Sequence, residues 1–385
     1  MEELTNNNDK RFVPRDTKKS MVILFFILLL IPNLLGKFLS RETINLENRT
    51  LAQFPKVSKD NWEEFPGQVE DYINDHAPFR YEILDAYAEF NWNVFGAVDN
   101  RDVIKGKEGW LFYRGNGSMT DVLGLNIFSE EGMQMLLDKL LRLREVSVED
   151  PEQFVFFIAP NKERVYHQYM PDYYKPVSDN STASVFVDYI RSHSDIKVVY
   201  PLEELKQASR EEQIYYKTDT HWNRPGGFVG VQSLIEVLGG ESTDFMSVNT
   251  VWETGIYRGD QANQIHIPDA YVEDHYGDIK NYLDGPEPKI EQSESIFESC
   301  RESAFDGRRM VMVRDSFGEN MLPWLSKYFQ ETEIVHYSHI PQMDKDSLEG
   351  DVFVYEIVER YLGALPGRLD EVLSILDDVD TVNDK

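Results

Sequence analysis

The 385-residue chain has a single cysteine, Cys300. No intramolecular disulfide can form, which excludes a disulfide-built scaffold and leaves the compartment open. Positive charge is also scarce: 39 lysines and arginines against 68 aspartates and glutamates give a formal charge of -29. Phosphate backbones are bound mainly through basic side chains, so no nucleic-acid partner is expected. The eight histidines show no His-Glu-x-x-His spacing, and His221 has no second histidine three or four residues away. With no cysteine pair either, no metal site is expected. Gly226-Gly227 lacks the lysine and hydroxyl of a phosphate-binding loop, and no cofactor is expected.

What is present is ample apolar material, 41% hydrophobic with 12% aromatic, enough for a packed core. Lys10, Arg11, Arg15, Lys18 and Lys19 precede an apolar run that starts at Met21 and continues to Leu39. Such a run nearly reaches the roughly 20 residues a membrane-spanning helix needs. A cleaved signal peptide and a retained anchor compete here. The lack of an Ala-x-Ala-like cleavage site favours the anchor, with the basic flank on the cytoplasmic side. The expectation is a cytoplasmic tail over 1–19, a single-pass transmembrane signal-anchor over 20–39, and everything beyond held outside the cell membrane. Residues 40–105 carry Trp62, Phe65, Tyr72, Phe79, Tyr81, Tyr87, Phe90 and Trp92 with acids between them, which predicts an amphipathic helical stalk or collar.

From Gly106 the texture changes to short apolar runs alternating with helical patterns. Runs at 154–159, 196–200, 310–313, 333–336 and 351–355 read as strands, the more continuous of them as parallel strands covered on both faces. Helical patterns lie between most of them, so the fold class is α/β with a mostly parallel sheet between helices. The polar stretch at about 241–301 interrupts the alternation and reads as an insertion near the active face.

Two segments carry chemistry. Lys217-Thr218-Asp219-Thr220-His221-Trp222-Asn223 puts a carboxylate two residues before an imidazole. In an extended segment both side chains point the same way, so Asp219 is placed to orient His221. Far downstream, Met310-Val311-Met312-Val313 runs into Arg314-Asp315-Ser316 at a predicted strand-to-helix turn, where ligands of parallel sheets bind. Ser316 as nucleophile, His221 as base and Asp219 as its partner would form an acyl-transfer triad. Plainer readings stand beside this one: Ser316, Asp219 or Asn223 as helix N-caps, and His221 as a hydrogen-bonded core residue. After the strand at 154–159, Asn161 is a candidate oxyanion donor and Lys162 or Arg164 could contact a glycan or hold a loop, against a plain capping loop. Arg314 adds positive charge beside the serine, and the Glu359-Arg360 pair reads as structural.

Asp219-Thr220-His221-Trp222-Asn223 with the glycine-containing helix 224–238, and Val313-Arg314-Asp315-Ser316-Phe317, resemble the AlgX/AlgJ-like SGNH hydrolase family. That family includes polysaccharide O-acetyltransferases and is related to the DHHW proteins. Glu47-Asn48-Arg49 with Phe54-Pro55, Gly109-Trp110-Leu111-Phe112-Tyr113 and Glu356-Ile357-Val358-Glu359-Arg360 extend the resemblance over roughly 47–360. It implies a three-layer α/β/α SGNH domain over 106–385 and an acetyl-serine mechanism through Ser316, His221 and Asp219. It also implies a polysaccharide acceptor and a membrane-bound O-acyltransferase as acetyl donor. Three features depart from the SGNH pattern: Arg314 stands where glycine is usual before Asp-Ser, the chain order is Asp, His, Ser, and no Gly-x-Asn block is evident. The expectation is a membrane-anchored polysaccharide O-acetyltransferase. An acetylesterase with the same triad, or a non-catalytic glycan-binding or assembly subunit, are the alternatives.

Overall fold

The computed structural model describes residues 19–27, 31, 51–56, 62–98, 100–266, 273–280, 282–283, 286–293, 295–302 and 304–377. The chain divides into two compact units, one ending at Phe95 and one beginning at Gly96. In the first, residues 19–27 are helical, and most of the expected anchor lies outside the described residues. Among the described residues no helix is long and apolar enough to cross a membrane. The aromatic run forms two helices, α1 (Phe65–His76) and α2 (Arg80–Phe95). Ahead of them, the Ala52 N–H donates to Asp75 at 2.7 Å and Phe54 meets the edge of Tyr72.

The second unit has eleven strands among the described residues: β1 (Val103–Lys105), β2 (Leu111–Tyr113), β3 (Phe154–Ala159), β4 (Lys197–Val199), β5 (Asn249–Tyr257), β6 (Glu273–Lys280), β7 (Lys289–Gln292), β8 (Ile296–Cys300), β9 (Asp306–Arg314), β10 (Phe329–His336) and β11 (Val352–Val358). Its α-helices are α3 (Ser118–Val122), α4 (Glu130–Ser147), α5 (Lys162–Val165), α6 (Thr182–His193), α7 (Leu202–Ala208), α8 (Arg224–Val237), α9 (Asp260–Gln264), α10 (Leu322–Tyr328) and α11 (Leu365–Leu376). Seven strands make the central sheet in the order β4-β3-β11-β9-β10-β8-β7. The first five run parallel, β8 is antiparallel to β10, and β7 is antiparallel to β8. The polar region is therefore not all excursion. Its last part supplies the last two strands of the sheet, β8 alternating in burial and β7, at the edge, exposed along its length. Alternate burial marks an antiparallel strand with one face on the core and one in solvent, and it hides such a strand from a search for continuous apolar runs.

Side chains of the parallel strands divide between two cores, as the two-residue period of a strand requires. Val155, Phe157, Met310, Met312, Val352 and Val354 pack with α7, α8 and α10. Phe154, Phe156, Val311, Val313, Phe353 and Tyr355 pack with α4, α6 and α11. The sheet is thus a layer between helices, which leaves its strand ends as the place where polar side chains converge.

Helix α8 fits against those strand ends through its glycines. Asn223 caps it, accepting from the Gly226 N–H at 3.1 Å. A Cβ on Gly226 would meet the Ile214 carbonyl oxygen at 2.2 Å, and one on Gly227 the Asn320 carbonyl oxygen at 2.2 Å. Because backbone rather than a flexible side chain stands in the way, Gly227→Ala is expected to destabilise the fold by about 1–3 kcal/mol. Chemical denaturation of the two proteins measures this.

Candidate active site

The Asp219 segment is a closed loop. Its ends are tied by the Asn223 N–H to the Ile214 carbonyl at 3.1 Å and by the Tyr216 N–H to the His221 carbonyl at 3.2 Å. Within it, Asp219 Oδ1 accepts from the His221 backbone N–H at 3.0 Å and lies 2.5 Å from His221 Nδ1. The two-residue spacing therefore works as an aspartate turn rather than as an extended segment. With Nδ1 protonated, Nε2 accepts from the Ser316 hydroxyl at 2.7 Å. The next residue joins the two segments: the buried Trp222 indole donates to the Phe317 carbonyl at 2.8 Å, and Asn320 Nδ2 donates to the Trp222 carbonyl at 2.8 Å.

Ser316 follows β9 and opens a 3-10 helix, and the capping is done by its neighbour. Asp315 Oδ1 accepts from the Phe317 N–H at 3.0 Å, and Oδ2 from the Val358 N–H at 2.7 Å. Asp315 takes over the N-cap role that serine often fills, which leaves the Ser316 hydroxyl for the imidazole.

Residues from the polar region complete the surroundings of Asp219. Its second oxygen accepts from the Tyr257 hydroxyl at 2.8 Å and from the Asp260 N–H at 2.9 Å. The Asp260 carboxylate in turn accepts from the Thr220 N–H and hydroxyl at 2.8 and 2.7 Å, and Tyr257 stacks on Tyr216. Sequence reading missed Tyr257 and Asp260 because they lie about 40 residues away, in a stretch without apolar periodicity. Burial opposes charge on Asp219, but His221 and these hydrogen bonds hold its carboxyl well below the usual range. Burial also favours neutral His221, yet the Asp219 carboxylate outweighs it and raises the imidazole above its ordinary 6.5. Burial and the charge of Asp219 push Asp260 up.

The three remaining candidates are not brought to the space around the Ser316 hydroxyl. Asn161 is fully buried: Nδ2 donates to Asp121 at 3.2 Å and its backbone N–H to Glu359 at 3.0 Å. Its acceptors lie in the interior, so it is not positioned as an oxyanion donor. Lys162 is fully buried as well, and burial lowers its pKa to about 8. Its ammonium holds the carbonyls of Tyr216, Lys217 and Asp219 and the Gln261 side chain, at 3.2, 3.3, 2.6 and 2.7 Å. Of its two expected roles, contacting a glycan or holding a loop, the contacts fit the second: it pins the loop that carries Asp219. Arg314 is buried over the Phe297 ring and donates to the Asp315 carbonyl at 3.1 Å. Asp219, His221 and Asp260 also place three potential metal ligands within 4.8 Å of one another. Each is engaged by the contacts above, so the cluster acts first as a support for the imidazole.

A serine at the end of a parallel strand, an imidazole on its hydroxyl and a buried carboxylate behind the ring define an SGNH hydrolase-like site in an α/β domain. Residues 103–284 match the family model described as SGNH hydrolase-like domain, acetyltransferase AlgX. Over 190 residues the chain is 27% identical to the probable alginate O-acetylase AlgJ of Pseudomonas putida, covering 44% of this chain and 46% of that one. Over 210 residues it is 25% identical to the probable alginate O-acetylase AlgJ of Pseudomonas syringae, covering 50% and 48%. The chain thus spans about half the length of the curated relatives it matches. Among solved structures, the O-acetyltransferase domain of Pseudomonas putida AlgJ is 20% identical, covers 69% of this chain and 92% of that domain, and has a TM-score of 0.43. Bacillus cereus PatB1 is 16% identical, covers 68% and 96%, and has a TM-score of 0.48. Over residues 103–284 the chain is thus similar to the AlgX/AlgJ-like family of SGNH hydrolase-like domains.

A base must be neutral, so ester cleavage should rise with pH through the raised His221 value, with its acidic limb above pH 6.5. Asp219→Asn should lower the rate by on the order of 10⁴-fold and move that limb down, whereas Tyr257→Phe should cost tenfold or less, about 1 kcal/mol. For stability, His221 contributes fully below 6.5 and loses that contribution as pH rises through its folded value. Asp219 contributes above 3.8 and loses it as pH falls. The stability difference between wild type and Asp219→Asn should therefore be largest between about pH 4 and 6.5, read from denaturation midpoints across pH.

Proposed function

We propose that the chain is an O-acetyltransferase that acetylates an exported or cell-wall polysaccharide through an acetyl-Ser316 intermediate. One observation carries this reading: Ser316 Oγ lies 2.7 Å from His221 Nε2, and His221 Nδ1 lies 2.5 Å from Asp219 Oδ1. As the Ser316 oxygen attacks an acetyl ester, its proton passes to His221 Nε2, and the imidazolium forms beside Asp219. His221 then returns the proton to the leaving oxygen. In the second half, a sugar hydroxyl gives its proton to His221 and attacks the acetyl carbon, and His221 returns the proton to the Ser316 oxygen as the acyl bond to it breaks.

The basic flank and apolar run at 10–39 support a single-pass anchor in the cell membrane, with this domain on the outer side. A membrane-bound O-acyltransferase would supply the acetyl group there. The names of the AlgJ relatives support a polysaccharide acceptor, and the formal charge of -29 favours a neutral polymer over an acidic one.

The test uses the full-length, detergent-solubilised chain with an activated acetyl ester, with and without neutral oligosaccharides, followed by mass spectrometry. Wild type is expected to form an acetyl-enzyme on Ser316 and acetylated sugar, and Ser316→Ala neither. Equal product from both proteins would defeat the reading, and free acetate without acetylated sugar would make the protein an esterase.

A further inference from the structure

The acetyl-serine step needs something to hold the carbonyl oxygen as it becomes negative, and several obvious donors are already occupied. The Phe317 and Val358 N–H groups both serve Asp315, and Asn161 Nδ2 serves Asp121. The strand beside the serine offers another group. β11 runs parallel to β9 with Tyr355 opposite Val313, so the residues leaving β11 emerge next to the serine turn. The first, Glu359, is fully committed to the interior, accepting from the Asn161 N–H at 3.0 Å and the Tyr200 hydroxyl at 2.9 Å.

The second, Arg360, places its guanidinium 5.0 Å from the Phe317 ring centre, and the same ring lies 4.9 Å from the His221 ring. Tyr113 and Tyr361 flank the cation at 5.5 and 5.3 Å. Although Arg360 is only 7% exposed, no carboxylate pairs with it among the described residues. Its hydrogen bond there, from Nη1 to Asn161 Oδ1, is long at 3.4 Å, and the buried Nε has no partner. The Glu163 carboxylate acts on it only through space; burying a cation with no carboxylate in contact is costly, and aromatic faces offset only part of that cost. Such a group gains most when negative charge appears beside it.

We propose that Arg360 is the cationic donor that stabilises the oxyanion formed when Ser316 is acetylated and deacetylated, an inference that rests on the acetyl-Ser316 reading above. When the Ser316 oxygen bonds to the acetyl carbon, the carbonyl π electrons move onto oxygen and the serine proton passes to His221. The Arg360 N–H groups meet that oxygen until the carbonyl re-forms and the leaving oxygen departs with the proton. Arg360 also faces His221 electrostatically, opposing the raising effects of Asp219 and Asp260 on the imidazole.

The test compares full-length wild type, Arg360→Met, Arg360→Gln and Ser316→Ala in single-turnover acetylation by an activated acetyl ester across pH. Arg360→Met is expected to slow acetylation at saturating donor by about 10²–10³-fold with little change in the donor concentration for half-saturation. Removing the cation should also move the acidic limb to higher pH, because the raising effects of Asp219 and Asp260 on His221 are then less opposed. Arg360→Gln keeps a polar side chain near Asn161 and reads the same two quantities if the methionine variant does not fold. A rate within about threefold of wild type, or a loss with the limb unmoved, overturns the role. If wild type and Ser316→Ala are equally unlabelled, the Ser316 reading itself has failed. If wild type is labelled and the Arg360 variants match it, only the Arg360 role has failed.

Discussion

The indole of Trp222 cannot be buried without an acceptor for its N–H, and it finds the carbonyl of Phe317, 95 residues further along the chain. That one bond lies next to His221 on one side and next to Ser316 on the other. Once it forms, with Asn320 returning a hydrogen bond to the Trp222 carbonyl, the imidazole and the hydroxyl have little choice but to meet. Gly226 and Gly227 serve the same end, because side chains there would push α8 off the loop and the serine turn. The alignment of base and nucleophile is thus settled inside the core, where packing is stiff, rather than by the exposed loop alone.

Beneath the site, buried acids hold backbone that the sheet no longer pairs. Glu356 accepts from the Asp315 N–H, Glu359 from Asn161, Glu163 from Tyr113 and Glu273 from Thr218. Three of these N–H groups belong to segments at or beyond a strand end and that of Thr218 to the Asp219 loop between α7 and α8, where a buried donor must find a side chain if no strand is available. Lys162 does the complementary work for carbonyls of the Asp219 loop. Burial, followed by the nearby Asp315 charge, pushes Glu356 well above the usual range. Some of the chain's acidic excess is therefore framework for its loops and bears little on the charge a distant substrate meets.

Periodic features were legible without coordinates. β3, β9 and β11 are continuous apolar runs because both faces of a parallel strand are covered, and α4 shows both its Ser129 cap and its apolar stripe. β7 and β8 were not legible, since their exposed residues break the run. Asp219 and His221 stood out because a carboxylate stands two residues before an imidazole, and Ser316 because residue type and strand-end position agree. Asn161 and Lys162 looked equally suitable by the same rule, yet both turned inward. Two polar residues after a strand can face the crevice or the core, and only their partners decide which.

The sequence alone determined the layering of the domain and the short list of reactive side chains. Both follow from repeats of two and 3.6 residues and from local chemistry, which need no distant partner. Tertiary structure decided that Asp219 is gripped by Tyr257 and the Asp260 N–H, that Asp315 and not Ser316 caps the turn, and that Arg360 and not Asn161 packs on Phe317 beside the imidazole. The physical reason is the same in each case: a buried polar group takes its meaning from the partner that satisfies it, and in most of these cases that partner lies far away in the chain.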